Sequence, residues 1–250
     1  QLAGLLCTPR DRGQALVNWV HGLHLGFASA EYCAIGRDVA QRGLAFLSAE
    51  TRGHDFGVWL RGRGGTRLAG SAWEIFSECL ADIGGWLAAA RAWGYHDVVL
   101  AGHGYGAAKV VFHMAERREP DVRGIVIASS GSLVRDPLDP DRLAQAEAML
   151  ADGRGQDLMP WGTRPGSLQS TVSAQVYLSR ARVHRDLYGF GDVPPALARV
   201  TSPVLASFGD RETKEGRDPE TFLATMRRNA TQAAFVETRL LRGANYLYTG

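Results

Sequence analysis

The sequence predicts an α/β fold, a mostly parallel sheet flanked by helices, and three observations carry that prediction. Short β-rich runs alternate with longer amphipathic stretches. Four of the runs are almost unbroken apolar: Ala15-Leu16-Val17, Val98-Val99-Leu100-Ala101, Ile125-Val126-Ile127-Ala128 and Val204-Leu205-Ala206. Strands buried on both faces have that composition. With 250 residues, 45% of them hydrophobic, the chain is also long enough to build one large core.

Taken in order, strands are expected at 15–20, 44–49, 97–101, 124–128, 203–207 and 233–240. Helices fit 28–42, 73–93, 106–118 and 219–228. In the second helix Trp73, Phe76, Leu80, Ile83 and Leu87 recur at steps of three and four, which marks a buried face. Its aromatic residues read as core rather than as a ligand box.

The stretch 132–199 breaks the alternation with prolines, glycines and helical pieces at 141–151 and 171–182. Because it lies between two core strands, it reads as a helical cap inserted over the C-terminal edge of the sheet. Residues 1–131 and 200–250 then form the two parts of one core domain, to which Pro194-Pro195 returns the chain. There is no internal repeat and no low-complexity tract.

A formal net charge of +2, with acidic and basic residues interleaved, offers no basic run to follow a phosphate backbone, so nucleic acid is not an expected partner. Arg117-Arg118 reads as a solvated helix end. Cys7, Cys33 and Cys79 form an odd set without C-x-x-C spacing, which argues against a disulfide framework or a zinc site and for a reducing, cytoplasmic setting. The seven histidines are scattered and none forms H-E-x-x-H, so neither a metal nor another cofactor is expected. No apolar run approaches the roughly 20 residues of a membrane span, and no signal peptide is visible, so no membrane partner is expected. Both ends read as trimmed, leaving room for a leader before Gln1 and a final helix after Gly250. A homo-oligomer is compatible with all of this.

The strand expected at 97–101 runs into Gly102-His103-Gly104-Tyr105-Gly106 and then into a helix. Strand, tight turn and helix, with glycines at the first and last of five positions, is the setting of a nucleophile elbow, G-x-S-x-G. Its glycines allow a sharp turn and a close passage of two backbones. At the central position stands Gly104, which has no side chain to form an acyl-enzyme. The competing reading, a dinucleotide phosphate loop, would want G-x-G-x-x-G at the first strand, and these glycines do not fit it.

Four segments together resemble a group of bacterial α/β-hydrolases whose members read H-G-M-G-G-N-F-Y, N-T-R-G-H-D, G-H-S-x-G-A-x-K-V and G-A-D-H-F-Y-T-G in order. The counterparts are His21-Gly22-Leu23-His24-Leu25-Gly26-Phe27, Thr51-Arg52-Gly53-His54-Asp55, Gly102-His103-Gly104-Tyr105-Gly106-Ala107-Ala108-Lys109-Val110, and Gly243-Ala244-Asn245-Tyr246-Leu247-Tyr248-Thr249-Gly250. The resemblance covers nearly the whole chain and implies the α/β-hydrolase fold. It also implies that the catalytic serine falls on Gly104 and the histidine on Tyr246. The acid falls within Gly209-Asp210-Arg211-Glu212, with Glu212 preferred and Asp210 beside it. A triad works because an imidazole removes the nucleophile's proton while the acid orients that imidazole. With the acid alone, neither step survives. Two replacements point to natural divergence rather than to a single engineered inactivation.

The backbone of an oxyanion hole is expected to persist at Tyr105 and Leu23, where the resemblance places its N–H groups. Such donors stabilise any developing oxyanion, an enolate included. His24 stands where the resembled proteins have glycine and is either a replacement general base or a surface-loop histidine. Tyr246 and Tyr105 carry hydroxyls able to donate or accept, although Tyr246 also reads as filling the space of the lost imidazole. His21 and His103 read as buried supports and His54 and Asp55 as loop ties, with His21 also on the pocket side. The cap supplies Met159, Trp161, Tyr177, Leu178, Tyr188 and Phe190. Met159, Trp161, Tyr177 and Tyr188 are expected to line a mostly apolar substrate pocket.

Two readings from different classes follow, both with a small molecule as partner. One is a non-hydrolytic enzyme performing isomerase, cyclase or lyase chemistry on a small apolar carbonyl compound, with His24, Tyr246, Tyr105, Glu212 and Asp210 as its acid–base residues. An Ala-, Arg- and Gly-rich composition, typical of high-GC bacteria, is compatible with a place in natural-product biosynthesis. The other is a pseudo-hydrolase that binds a small molecule or protein without turnover. A third, weak hydrolysis through water activated by His24, predicts ester cleavage without a burst.

Overall fold

The apolar runs become the centre of a seven-stranded sheet in the computed structural model, which describes residues 2–11, 13–62, 64–130, 139–160, 172–184, 187–189, 194–215 and 218–249. In chain order the strands and helices are β1 (Gly4–Cys7), β2 (Ala15–Val20), α1 (Ala30–Gln41), β3 (Ala45–Ala49), β4 (Val58–Gly62), β5 (Gly65–Ala69), α2 (Cys79–Ala92), β6 (Asp97–His103), α3 (Tyr105–Glu116), β7 (Val122–Ala128), α4 (Pro140–Ala151), α5 (Ala174–His184), β8 (Val204–Gly209), α6 (Pro219–Asn229) and β9 (Val236–Leu241). The sheet order is β1-β3-β2-β6-β7-β8-β9, parallel except for β1 against β3. Every residue of β3 is buried, as expected of a strand covered on both faces.

The core is built where β2, β3, β6, β7 and β8 meet α2, α3 and α6, around Leu16, Leu47, Leu100, Ile127 and Phe208. Helix α3 lies deepest, with Tyr105 to Val111 buried without a break. Helices α4 and α6 each begin with Asp-Pro. Asp139 accepts from the backbone N–H of Asp141 at 3.0 Å, and Asp218 from that of Thr221 at 3.1 Å, with proline at the first helical position.

Three strands escape sequence reading. β1 is a four-residue edge strand with no buried residue, and β4–β5 is a two-stranded hairpin whose residues are mostly exposed. None has the unbroken apolar run that identified β2, β6, β7 and β8. The second helix also starts later than expected. α2 begins at Cys79 after a single 3-10 turn at Phe76–Glu78, not at Trp73. The preceding residues are committed to a tight turn and to tertiary contacts instead. The N–H groups of Trp73 and Glu74 both donate to the Gly70 carbonyl, at 3.0 and 2.9 Å.

That turn is also where the cap segment meets the core. Ser173 N–H donates to the Ala72 carbonyl at 2.9 Å, Phe76 N–H to Ser179 Oγ at 3.0 Å, and Trp73 Nε1–H to the Gln156 carbonyl at 2.9 Å. Helices α4 and α5 pack on each other through Ala146, Met149, Ala174 and Leu178. The expected start of the cap at 132 lies outside the described residues.

Candidate active site

β6 ends at His103 and α3 begins at Tyr105, so the whole reversal rests on Gly104, at φ +54° and ψ −114°. The flanking glycines are needed for space: a Cβ on Gly102 would collide with the backbone of Gly106 and Ala107, and one on Gly106 with the carbonyls of Val20 and His21. At Gly104 the obstacle is different. A Cβ there would overlap the hydroxyl of Tyr246, whose Cζ lies 3.1 Å from that position.

Tyr246 is held in place by His103. Its ring packs on His103 with centroids 4.4 Å apart, and its carbonyl accepts from His103 Nε2–H at 2.8 Å. His103 Nδ1 then accepts from the Tyr32 hydroxyl at 2.9 Å, whose oxygen accepts the Gly22 N–H at 2.9 Å. One relay of hydrogen bonds thereby links the loop after β2, the elbow and the C-terminal loop, and it requires a proton on His103 Nε2, which faces a carbonyl. Asn245 shapes the C-terminal turn locally, its Oδ1 accepting the N–H groups of Leu247 and Thr249, each at 3.0 Å.

The two acidic candidates go to different places. Glu212 is fully buried, its Oε1 accepting from Ser129 Oγ at 2.6 Å and from Gly209 N–H at 2.8 Å. The Ser129 oxygen, in a residue at φ +48°, also lies 2.9 Å from the Tyr248 hydroxyl, and that hydroxyl meets Ser207. Burial pushes the Tyr248 phenol up to about 12. Asp210 instead accepts the Gly243 N–H at 2.9 Å, closing the loop that carries Tyr246.

His24 sits at φ +61°, with Nδ1 2.5 Å from Ser71 Oγ and its ring 6.2 Å from that of Phe56. Ser71 is itself buried, so the imidazole is oriented by a fixed partner. His21 is buried with both ring nitrogens engaged: Nδ1–H donates to the Gly22 carbonyl at 2.8 Å, and Nε2 accepts from Thr51 N–H at 3.0 Å. Its pKa falls to about 3, first through burial and then through the charge of Lys109. Lys109 donates to Thr51 Oγ1 at 2.7 Å and pairs with Glu74 at 2.7 Å, both side chains buried. His54 pairs with Asp55 at 2.8 Å beside Glu50.

Tyr105 turns into the core: it is 3% exposed, its ring 5.4 Å from Phe76, and burial pushes its phenol up. Its backbone N–H opens α3, where first-turn N–H groups have no partner within the helix. Leu23 packs against the main core. Of the expected pocket residues, Met159 lies buried between α4 and α5, and Tyr188 is buried with its hydroxyl 2.7 Å from Ser130 Oγ. Tyr177 packs under Arg142, whose Cζ is 5.5 Å from its ring centre. Trp161 and Phe190 lie outside the described residues. Among the described residues no group of three or more His, Cys, Asp or Glu could hold a metal ion, and no helix is long and apolar enough to cross a membrane.

Ser71, Ser129 and Arg180 were not foreseen. Each is a common residue type in a stretch without a motif, and each acts on a partner far away in sequence. Lys109 and Glu74 could have been paired by sequence only through the G-A-x-K segment.

No protein-family model matches the chain, and no curated protein matches it. Solved structures do. The chain is similar to Est1E from Butyrivibrio proteoclasticus with ferulic acid bound, at 17% identity and TM-score 0.67, covering 99% of this chain and 88% of that one. It is similar to a monoacylglycerol lipase from Paleococcus ferrophilus, at 18% identity and TM-score 0.62, covering 98% and 90%. It is also similar to the α/β hydrolase GrgF from Penicillium sp. sh18, at 14% identity and TM-score 0.66, covering 98% and 86%. Mostly parallel sheet, flanking helices and these likenesses agree: the chain has the α/β-hydrolase fold.

Proposed function

We propose that this chain is an α/β-hydrolase-fold enzyme without the serine–histidine pair, performing acid–base chemistry of isomerase, cyclase or lyase type on a small apolar carbonyl compound. The observation that carries the reading is the Tyr246 hydroxyl standing where any side chain on Gly104 would begin. A serine and this phenol cannot share that space. The exchanges at the two positions are therefore one coupled change, which brings a proton donor to the place of a nucleophile.

In this reading the substrate's carbonyl oxygen lies against the backbone N–H groups of Tyr105 and Leu23. His24, oriented by Ser71, takes a proton from the carbon beside the carbonyl. The negative charge moves onto the oxygen as an enolate, which the two N–H groups stabilise. Tyr246 then supplies a proton or steadies the oxygen. Glu212 and Asp210 shape the loops around this centre through Ser129 and Gly243.

Exchange of α-protons into a panel of small ketones in D2O, followed by NMR, tests it. Tyr246→Phe and His24→Ala should each slow exchange about 100-fold, the range for a lost general acid or base. Unchanged exchange in both variants, or covalent labelling of an elbow residue by a fluorophosphonate, would remove the proposal. A second reading, a pseudo-hydrolase that binds without turnover, draws on the same packing, because Tyr246 fills the nucleophile's space and His24 is already bonded to Ser71. Ligand binding with no exchange in any ketone would favour it.

A further inference from the structure

Two cations flank the Tyr105 ring beside the elbow. Lys109 Nζ lies 5.1 Å from the ring centre and Arg180 Cζ 4.9 Å. Their counter-charges differ. Lys109 has Glu74 at 2.7 Å, and that pair is buried and self-neutralising. Arg180, carried in by α5 from the cap segment, has no carboxylate within ion-pair distance among the described residues. One of its terminal nitrogens donates to the Ser71 carbonyl at 2.8 Å, and its Nε is buried with no hydrogen-bond partner among the described residues. The residue is half-buried, so part of it still meets solvent.

A guanidinium taken partly out of water loses hydration and regains it only through an opposite charge or through hydrogen bonds. Among the described residues one carboxylate serves two cations, which leaves one positive charge over. That charge is next to the catalytic candidates: Arg180 binds the carbonyl of the same Ser71 whose Oγ meets His24. We infer that the ligand of this site carries a carboxylate, received by Arg180, so that the substrate class is a small keto acid. A single uncompensated charge fits a monoanion better than a phosphate dianion, and the planar fork of a guanidinium matches a carboxylate. The inference rests on the reading of this region as the ligand site.

Calorimetric titration of the full chain with levulinate, with its methyl ester and with inorganic phosphate tests it. Levulinate should bind at least about tenfold more tightly than the ester, the loss expected of a charge-assisted hydrogen bond. Arg180→Met should bring levulinate to the level of the ester and leave the ester unchanged, with Arg180→Lys between. Equal binding of acid and ester, no binding of either, levulinate binding untouched by Arg180→Met, or a preference for phosphate would each overturn it. Should Arg180→Met fail to fold, Arg180→Lys and the acid–ester contrast in the parent chain still decide. Binding is read without turnover, which separates the two proposals. Arg180-dependent levulinate binding with no α-proton exchange would sink the acid–base chemistry alone, while exchange in neutral ketones with no preference for the acid would sink only the carboxylate.

Discussion

The hydroxyl of Tyr246 occupies the space into which a side chain on Gly104 would grow, although the two residues belong to separate motifs remote from each other in the sequence. A side chain restored at Gly104 would have to displace the phenol. The backbone at Gly104 keeps the positive φ of a sharp strand-to-helix turn, and the empty side-chain space that accompanies it is filled by the phenol.

Gly104→Ser should therefore be destabilising by about 2 kcal/mol, from overlap with Tyr246 and from a left-handed φ at a non-glycine residue. Combining it with Tyr246→His should return much of that loss, a coupling of about 1 kcal/mol or more between the two sites. Urea denaturation of both single variants and the double variant measures the coupling. Simple additivity would contradict the overlap.

Lys109→Met should cost about 3–5 kcal/mol, because it leaves the Glu74 carboxylate buried without its cation. Pairing it with Glu74→Gln should recover more than half of the loss. The same denaturation measurement checks it, and a loss that persists in full in the double variant would assign the effect to packing instead.

His21 gives a pH dependence of definite sign. Its folded-state pKa of about 3 lies below its unfolded value, so between the two the unfolded chain binds the extra proton. The contribution of the neutral ring is fully present above the unfolded value near 6.5 and is lost as pH falls toward 3. Over that window His21 alone should impose a slope of up to about 1.4 kcal/mol per pH unit. His21→Gln removes the titration, so the stability gap between parent and variant should narrow from about pH 7 to about pH 4.5. A constant gap would show that the ring does not resist protonation.

His24 tests backbone strain against chemistry. At φ +61° a histidine sits in a region that glycine enters freely. His24→Gly should be more stable than His24→Ala by about 1 kcal/mol, the cost of a Cβ in that conformation. Both variants should lose α-proton exchange alike, since both lack the imidazole. A difference in exchange between them would point to loop geometry rather than to the side chain.

The parts of the fold that were legible in sequence are those encoded locally. β2, β6, β7 and β8 are apolar runs that need no partner to be recognised, and α3 follows the glycines of the elbow. The hairpin β4–β5 and the edge strand β1 were not legible, because exposed strands have no apolar pattern to betray them. The start of α2 failed for the opposite reason: Trp73 has the right spacing for a helix face but is used by the cap. At the site, Gly104, Tyr246, Glu212 and Asp210 were found by motif order, whereas Ser71, Ser129 and Arg180 had no motif to mark them.

By itself the sequence determined which residues stand at the elbow and in the C-terminal loop, and that a mostly parallel sheet would carry them, since residue identity and hydrophobic period are properties of the chain alone. Only the tertiary structure decided that the Tyr246 phenol fills the space at Gly104, that Glu212 serves Ser129, and that Arg180 arrives beside Tyr105 with no acid paired to it among the described residues. Those facts are distances between residues remote in sequence, and packing sets such distances.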